Sequence, residues 1–250
     1  MDIVALFQCL QPSLPSRTWR QLSRIAVALL VMTGRVTMLG LSRWTGKGGS
    51  YRTVQRLFST VMPWAILFWV CFRHHVYCPD EVYLAAGDEV IVTKAGTCTP
   101  GLDRCFASLY GKPVPGLAFF TVSLVSVQKR RAFPMRGAQV VRSDAEQAAS
   151  KAKAAAKKAK ALPVKRRPGR PKGRTNTTKA TRALTPERVR LQALVEALLR
   201  LITTGLSVTY LVLDGHCGNH NALHMARQCN LHLLSKLRGD AALYFPYTGP

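Results

Sequence analysis

The chain has 250 residues, with 36 Lys or Arg against 12 Asp or Glu, so its formal net charge is +24 and its pI near 10.5. That balance points to a polyanion, nucleic acid ahead of an anionic membrane surface, and excludes an ordinary metabolic enzyme. With 48% hydrophobic residues the chain can bury one large core or two small ones, which excludes disorder of the whole.

The first 80 residues read as a helical module. "SRTWRQLSRIAVALLVM" opens on Ser16 as a cap and repeats Trp19, Leu22, Ile25, Ala26 and Leu29 at helical spacing. After the glycine-rich "TGKGGS", a second helix places Tyr51, Val54, Leu57 and Phe58 on one face, with Arg52 and Arg56 beside them. Such a basic module suits DNA contact, a solvated surface being the other reading. "IAVALLVMTG" and "VMPWAILFWVCF" fall short of the ~20 residues a spanning helix needs and are flanked by basic residues, which predicts buried helices rather than membrane spans. "CFRHHVYC" offers Cys71, His74, His75 and Cys78, but the spacing is too compressed for a zinc finger and an apolar helix end explains it better. Seven irregularly spaced cysteines and no apolar leader behind a basic start predict reduced thiols, mostly in the core, in a cytoplasmic protein.

From 81 to 146 the periodicity changes. "EVYLAAGDEVIVTKAG" and "LAFFTVSLVSVQKRRAFPMRGAQVV" are rich in β-branched and aromatic residues, with turn signals at "YGKPVPG" and "RAFPMRG", which predicts three strands in hairpin-like succession. Residues 147–186 hold thirteen Lys or Arg and no acid, over half of the net charge, and read as a basic, mobile insertion whose Ala/Lys run can become helical on a polyanion. Within it "KRRPGRPKGR" has the Gly-Arg-Pro core of an AT-hook. Arg170 can enter an A·T-rich minor groove while Lys165, Arg166, Arg167, Lys172 and Arg174 meet phosphates, or all six can bind phosphate generically.

Order returns over 187–250. "TPERVRLQALVEALLRLITTG" predicts a helix with Thr185 as cap and Pro186 in its first turn, with Leu191, Leu194, Val195, Leu198 and Ile202 as the apolar stripe. "SVTYLVLDG" is then a strand, "NHNALHMARQCN" a helix and "LHLLSKLRG" a strand. The fold class that follows is α/β, a mixed sheet with flanking helices.

Asp88 closes the apolar run "VYLAAG", and Asp214 closes "TYLVL". If their strands are neighbours, both carboxylates emerge at a common edge, where they repel unless a cation lies between them. Hard oxygen ligands suit Mg²⁺, and paired ions serve in-line phosphoryl displacement; a turn-capping role for each Asp is the alternative. His216, Cys217 and His220 read as turn and helix-cap residues shaping that loop. Lys94, six residues beyond Asp88, is a candidate phosphate contact or a solvated lysine.

At these residues the chain resembles a known family. "GDEVIVTKAG" is similar to the first catalytic block of bacterial insertion-sequence transposases of the DDE class. "LVLDGHCGNHNALHMARQCNLHLLSKLRGDAALYFPYTGP" is similar to the block around their second Asp. The resemblance implies an RNase H-like catalytic domain in which Asp88 and Asp214 are the first two members of an acidic triad holding Mg²⁺ or Mn²⁺. It implies double-stranded DNA, transposon ends and target, as partner, homo-oligomers on DNA, and a bacterial, nucleoid-associated setting. The family's third carboxylate is a Glu well downstream, yet no Glu follows Glu196 here and Asp240 lies too close to Asp214 to replace it. The expectation is therefore a C-terminally incomplete copy, inactive by itself. A non-catalytic DNA-binding protein or regulator remains the alternative, and a nuclease unrelated to transposition is disfavoured by the insertion and the helical module.

Overall fold

The computed structural model describes residues 3–46, 49–94, 96, 98–159, 183–202 and 205–237. The chain divides into two compact units: residues 1–85 with 123–136 and 196–208, and residues 86–122 with 137–195 and 209–250.

The first unit is built on helices α1 (Ile3–Leu6), α2 (Ser16–Val31), α3 (Met38–Trp44), α4 (Tyr51–Ser59) and α5 (Trp64–His75), with a 3-10 turn over Gln8–Ser13. Pro15 precedes α2, so Ser16 is its first residue and caps nothing with its side chain. Thr37 and Ser50 do cap α3 and α4, accepting hydrogen bonds from the Gly40 and Thr53 N–H groups. Leu10, Leu14, Ile25, Ala28, Leu41, Val54, Leu57, Met62 and Leu67 form one core, each large side chain worth about 1.5–3 kcal/mol on burial.

The two apolar stretches are only half buried, contrary to expectation: Leu29, Leu30, Val31, Trp64, Ile66 and Phe68 are exposed. A helix turns about 100° per residue, so a run of consecutive apolar residues covers its whole circumference while only one stripe meets the core. Among the described residues no single helix is long and apolar enough to cross a membrane; α4 and α5 pass such a test only as a pair bent by 95°. No disulfide joins the seven cysteines, and only Cys217 and Cys229 are buried, fewer than expected. Burial pushes the Cys71 thiol up to about 12, with Cys9 beside it adding to the rise. Where α5 ends, Phe72 packs on Tyr83 and Phe133 with ring centroids 5.4 Å apart in both cases.

Six strands form one mixed sheet in the order β2-β3-β1-β5-β6, with β4 also on β3. They are β1 (Tyr83–Thr93), β2 (Asp103–Ala107), β3 (Lys112–Ser126), β4 (Arg131–Val140), β5 (Tyr210–Leu213) and β6 (His232–Ser235). The β2/β3 pair is antiparallel and β5/β6 parallel. With helices α6 (Asp144–Ala159), α7 (Pro186–Ile202) and α8 (His220–Gln228), this is the mixed α/β, RNase H-like arrangement expected. The first block holds four strands rather than three. The sequence hides β2 because "DRCFA" is short and carries two charges; its stability comes from pairing Asp103 through Ala107 with Gly116 through Lys112 and from the Asp103–Arg142 ion pair at 2.6 Å.

The basic insertion also differs where it is described. Helix α6 carries the Ala/Lys run as far as Ala159. Ser143 and Glu146 form a reciprocal capping box, Ser143 N–H donating to Glu146 Oε2 at 2.7 Å and Glu146 N–H to Ser143 Oγ at 3.3 Å. Arg190 Nη1 on α7 holds the same carboxylate at 3.0 Å, and Ala and Lys are strong helix formers. Lys165, Arg166, Arg167, Arg170, Lys172 and Arg174 lie outside the described residues.

Candidate active site

Strands β1 and β5 are neighbours, and Asp88 within β1 and Asp214 immediately after β5 line the same cavity of about 630 Å³. A Cβ at Gly87 would stand 2.9 Å from Leu213 Cδ2 and 3.0 Å from Phe120 Cε1, so a side chain there would have to displace the ends of both neighbouring side chains. Asp88 Oδ1 accepts the Glu89 N–H at 2.8 Å, and the Asp88 carbonyl accepts the Thr121 hydroxyl at 3.3 Å.

Asp214 is held through its backbone. Its carbonyl accepts the Ser235 hydroxyl at 2.7 Å and the Cys217 N–H at 3.0 Å, closing a 3-10 turn over Gly215–Cys217. A Cβ on Gly218 would meet the Lys236 carbonyl oxygen at 2.7 Å, so the turn packs on the end of β6 as only glycine allows. Asn219 then caps α8 by accepting the Ala222 N–H at 3.1 Å. Cys217 is buried, and its thiol is raised to about 11 by that burial, against the lowering effect of Arg188 and with the Asp214 carboxylate adding to the rise. A thiol that stays protonated is no nucleophile at neutral pH.

Two further carboxylates line this cavity, Glu89 and Glu187. Although Glu89 as a residue is largely accessible, its carboxyl is held above the ordinary range, first by desolvation and then by the negative charge of Glu187, with Asp214 contributing less. Glu187 sits in the first turn of α7, 3.5 Å from Arg188 Nη1. The Arg188 side chain is buried, and Nη1 makes no hydrogen bond. Sequence reasoning missed both glutamates: Glu89 alternates with Asp88 along a strand, and Glu187 reads as an ordinary first-turn acid. The signal that could have found Glu187 is its place in the first turn of a helix in a chain that uses carboxylates so sparingly.

The donor set consists of hard oxygens, and the mutual repulsion of its carboxylates, one of the causes that raise Glu89, is what a divalent cation relieves. Among the described residues no three of His, Cys, Asp and Glu stand close enough to hold an ion by themselves. Two carboxylates completed by water and phosphate oxygens nevertheless suit Mg²⁺, which seldom occupies an all-protein cage. Lys94 follows β1 with its backbone N–H on the Pro115 carbonyl at 3.0 Å; it is exposed and does not line the cavity.

Residues 8–250 match the family of DDE superfamily endonucleases. No curated protein matches the chain.

Proposed function

The chain belongs to the DDE superfamily endonucleases, and on that premise we propose that it is a DDE transposase acting on double-stranded DNA through Asp88 and Asp214. The observation that carries the reading is the meeting of these two residues, distant in sequence, at one cavity on neighbouring strands. A bound Mg²⁺ or Mn²⁺ supplies activation of the attacking oxygen and stabilisation of the leaving one in an in-line displacement at phosphorus. Asp88 and Asp214 would hold it. The hydrogen bond from the Glu89 N–H orients the Asp88 carboxylate, and the Ser235 and Cys217 contacts fix the backbone from which Asp214 projects. Phe120 and Ile91 furnish apolar wall, which lowers the local dielectric and strengthens each charge interaction. Lys94 and the basic segment containing Lys165, Arg166, Arg167, Arg170, Lys172 and Arg174 supply phosphate contacts along the DNA. A homo-oligomer on transposon ends, in a nucleoid-associated bacterial setting, completes the reading.

On this reading Asp88 and Asp214 are two members of an acidic triad, and cleavage is expected to need the third. The second reading, a non-catalytic DNA-binding protein or regulator, is favoured by the lack of a three-ligand group among the described residues. Nicking of supercoiled DNA carrying the element's ends separates the two. The expected result is weak Mn²⁺ binding by the chain, cleavage once a Glu-bearing downstream segment is appended, and loss of both in Asp88→Asn and Asp214→Asn. Cleavage that persists in either Asn variant would overturn the assignment. An extended chain that binds Mn²⁺ and DNA but never cleaves would establish the second reading.

A further inference from the structure

Strands β2 and β3 form a hairpin that ends beside the carboxylates. Asp103 through Ala107 pair with Gly116 through Lys112, and the chain turns back through a 3-10 turn over Ser108–Tyr110 and then Gly111, whose φ of 60° glycine adopts without strain. Side chains fasten the hairpin. Arg104 Nη2 donates across it to the Pro113 carbonyl at 3.3 Å, while Arg142 donates to the Asp103 carboxylate at 2.6 Å and to the Arg104 carbonyl at 3.2 Å. Its tip is apolar: Phe106 is 61% exposed, Leu109 84% and Tyr110 54%, and all three line the cavity that contains Asp88 and Asp214. Among the described residues neither ring stacks on another aromatic side chain. β2 is an outer strand of the sheet, where exposed apolar side chains invite aggregation and charges are the usual protection. Three apolar side chains at this end therefore need an occupant.

We propose that Phe106 and Tyr110, with Leu109 between them, form a stacking subsite for an unpaired DNA base next to a phosphate bound at Asp88 and Asp214. The inference deepens the reading of DNA as substrate and rests on it. A nucleotide joins a charged phosphate to a flat base with apolar faces, and the cavity has the same two halves. Its four carboxylates accept a phosphate only through a cation, and its apolar rim offers a phosphate nothing. The base is the next group along the strand that such a rim can receive, because every base has a π-face on which an aromatic ring stacks. In a duplex those faces are covered by neighbouring base pairs and only the edges show in the grooves, so the rim selects a base that has left the stack. Leu109 at the turn is an apolar side chain of the kind that parts adjacent base steps. At about 630 Å³ the cavity lies within the roughly 300–1,000 Å³ of small-molecule sites, room for phosphate, sugar and base together. An apolar protein segment would cover the same rim but bring nothing for the four carboxylates beside it.

The test uses the full chain in Mg²⁺ with two DNA probes of equal phosphate number, a fully paired duplex and a fork with one unpaired arm carrying bromodeoxyuridine. Charge alone favours the duplex, which releases about 0.9 counterion per contact against about 0.7 for a single strand. The wild-type chain is nevertheless expected to bind the fork more tightly, and irradiation is expected to join the arm to Phe106 or Tyr110, read by mass spectrometry of the peptides. Phe106→Ala and Tyr110→Ala should each lower affinity for the fork roughly 5- to 150-fold. The slope of log affinity against log salt should stay as in wild type, because no charge is removed. Phe106→Tyr and Tyr110→Phe keep a ring to stack and should bind the fork as wild type does. A fork bound no more tightly than the duplex, Ala variants that match wild type on the fork, or crosslinks confined to other segments would overturn the proposal. A chain that binds neither probe would overturn it together with the reading of DNA as substrate. The assignment of Asp88 and Asp214 fails on a separate measurement, cleavage that persists in their Asn variants, so the two failures are distinguishable.

Discussion

Helices α1–α5 and the cavity beside β1 and β5 are opposites in charge. Residues 3–79 contain no carboxylate, whereas Asp88, Glu89, Glu187 and Asp214, four of the twelve acids in the chain, line one cavity. A surface without acids binds phosphate with no further help, because each Lys or Arg that meets a phosphate releases counterions. A cavity lined by four acids repels the same phosphate until a cation neutralises it. The difference teaches that, on the proposed function, holding DNA and cutting it fall to different residues, one set working through charge alone and the other through charge plus metal.

The comparison breaks most visibly at the cavity. Asp88→Asn and Asp214→Asn are each expected to abolish Mn²⁺ binding, read by the electron paramagnetic resonance of the free ion, and to lower cleavage by the extended chain by about 10²–10³-fold or more. DNA affinity in EDTA should hardly change; a fall comparable to that in cleavage would show that holding and cutting share residues.

The converse experiment neutralises Lys165, Arg166, Arg167, Arg170, Lys172 and Arg174 together. If all six meet phosphate, the slope of log affinity against log salt should fall by about 5, at ~0.9 per contact, with Mn²⁺ binding unaltered. A slope that stays put would remove this segment from the interface.

Two stability variants sharpen the contrast between a packed core and a close strand approach. Leu41→Ala, at a fully buried position among α2–α4, should cost about 2–5 kcal/mol in urea unfolding. Gly87→Val should cost about 1–3 kcal/mol by pushing on Leu213 and Phe120, and should also weaken Mn²⁺ binding, which Leu41→Ala should not.

The smallest effect concerns the pair that steadies β2. Burial raises the Asp103 carboxyl, but the Arg142 guanidinium and the Arg104 N–H outweigh it and hold the group below the usual carboxylate range. Its contribution is therefore present above the unfolded carboxyl value of about 3.9 and lost as pH falls through the lower folded value. Arg142→Gln should cost about 1 kcal/mol at most near neutrality, since both side chains are partly exposed, and the difference from wild type should close in acid. A gap that widens as pH falls would reverse the sign of this account.

Much of this was legible in one dimension. The start of α7 at Pro186 and the runs that became β5, α8 and β6 follow from caps and periodicity. That Asp88 and Asp214 each end an apolar run is written in the sequence, and the resemblance to known catalytic blocks singles the two out. Other features were not legible. Strand β2 is too short and charged to announce itself, and it exists because β3 and Arg142 hold it. The apolar run at the end of α2 gave no sign of which third would face the core.

The sequence by itself determined where the basic runs lie and where apolar runs end on Asp88 and Asp214, because charge and apolar periodicity are local properties written in order along the chain. Only the tertiary structure decided that β1 and β5 are neighbours, that Gly87 lies against Leu213 and Phe120, and that Glu89 and Glu187 join the two aspartates at one cavity. The reason is physical: strand order and the placing of a helix terminus are set by which distant surfaces exclude water together, and no window of neighbouring residues contains that information.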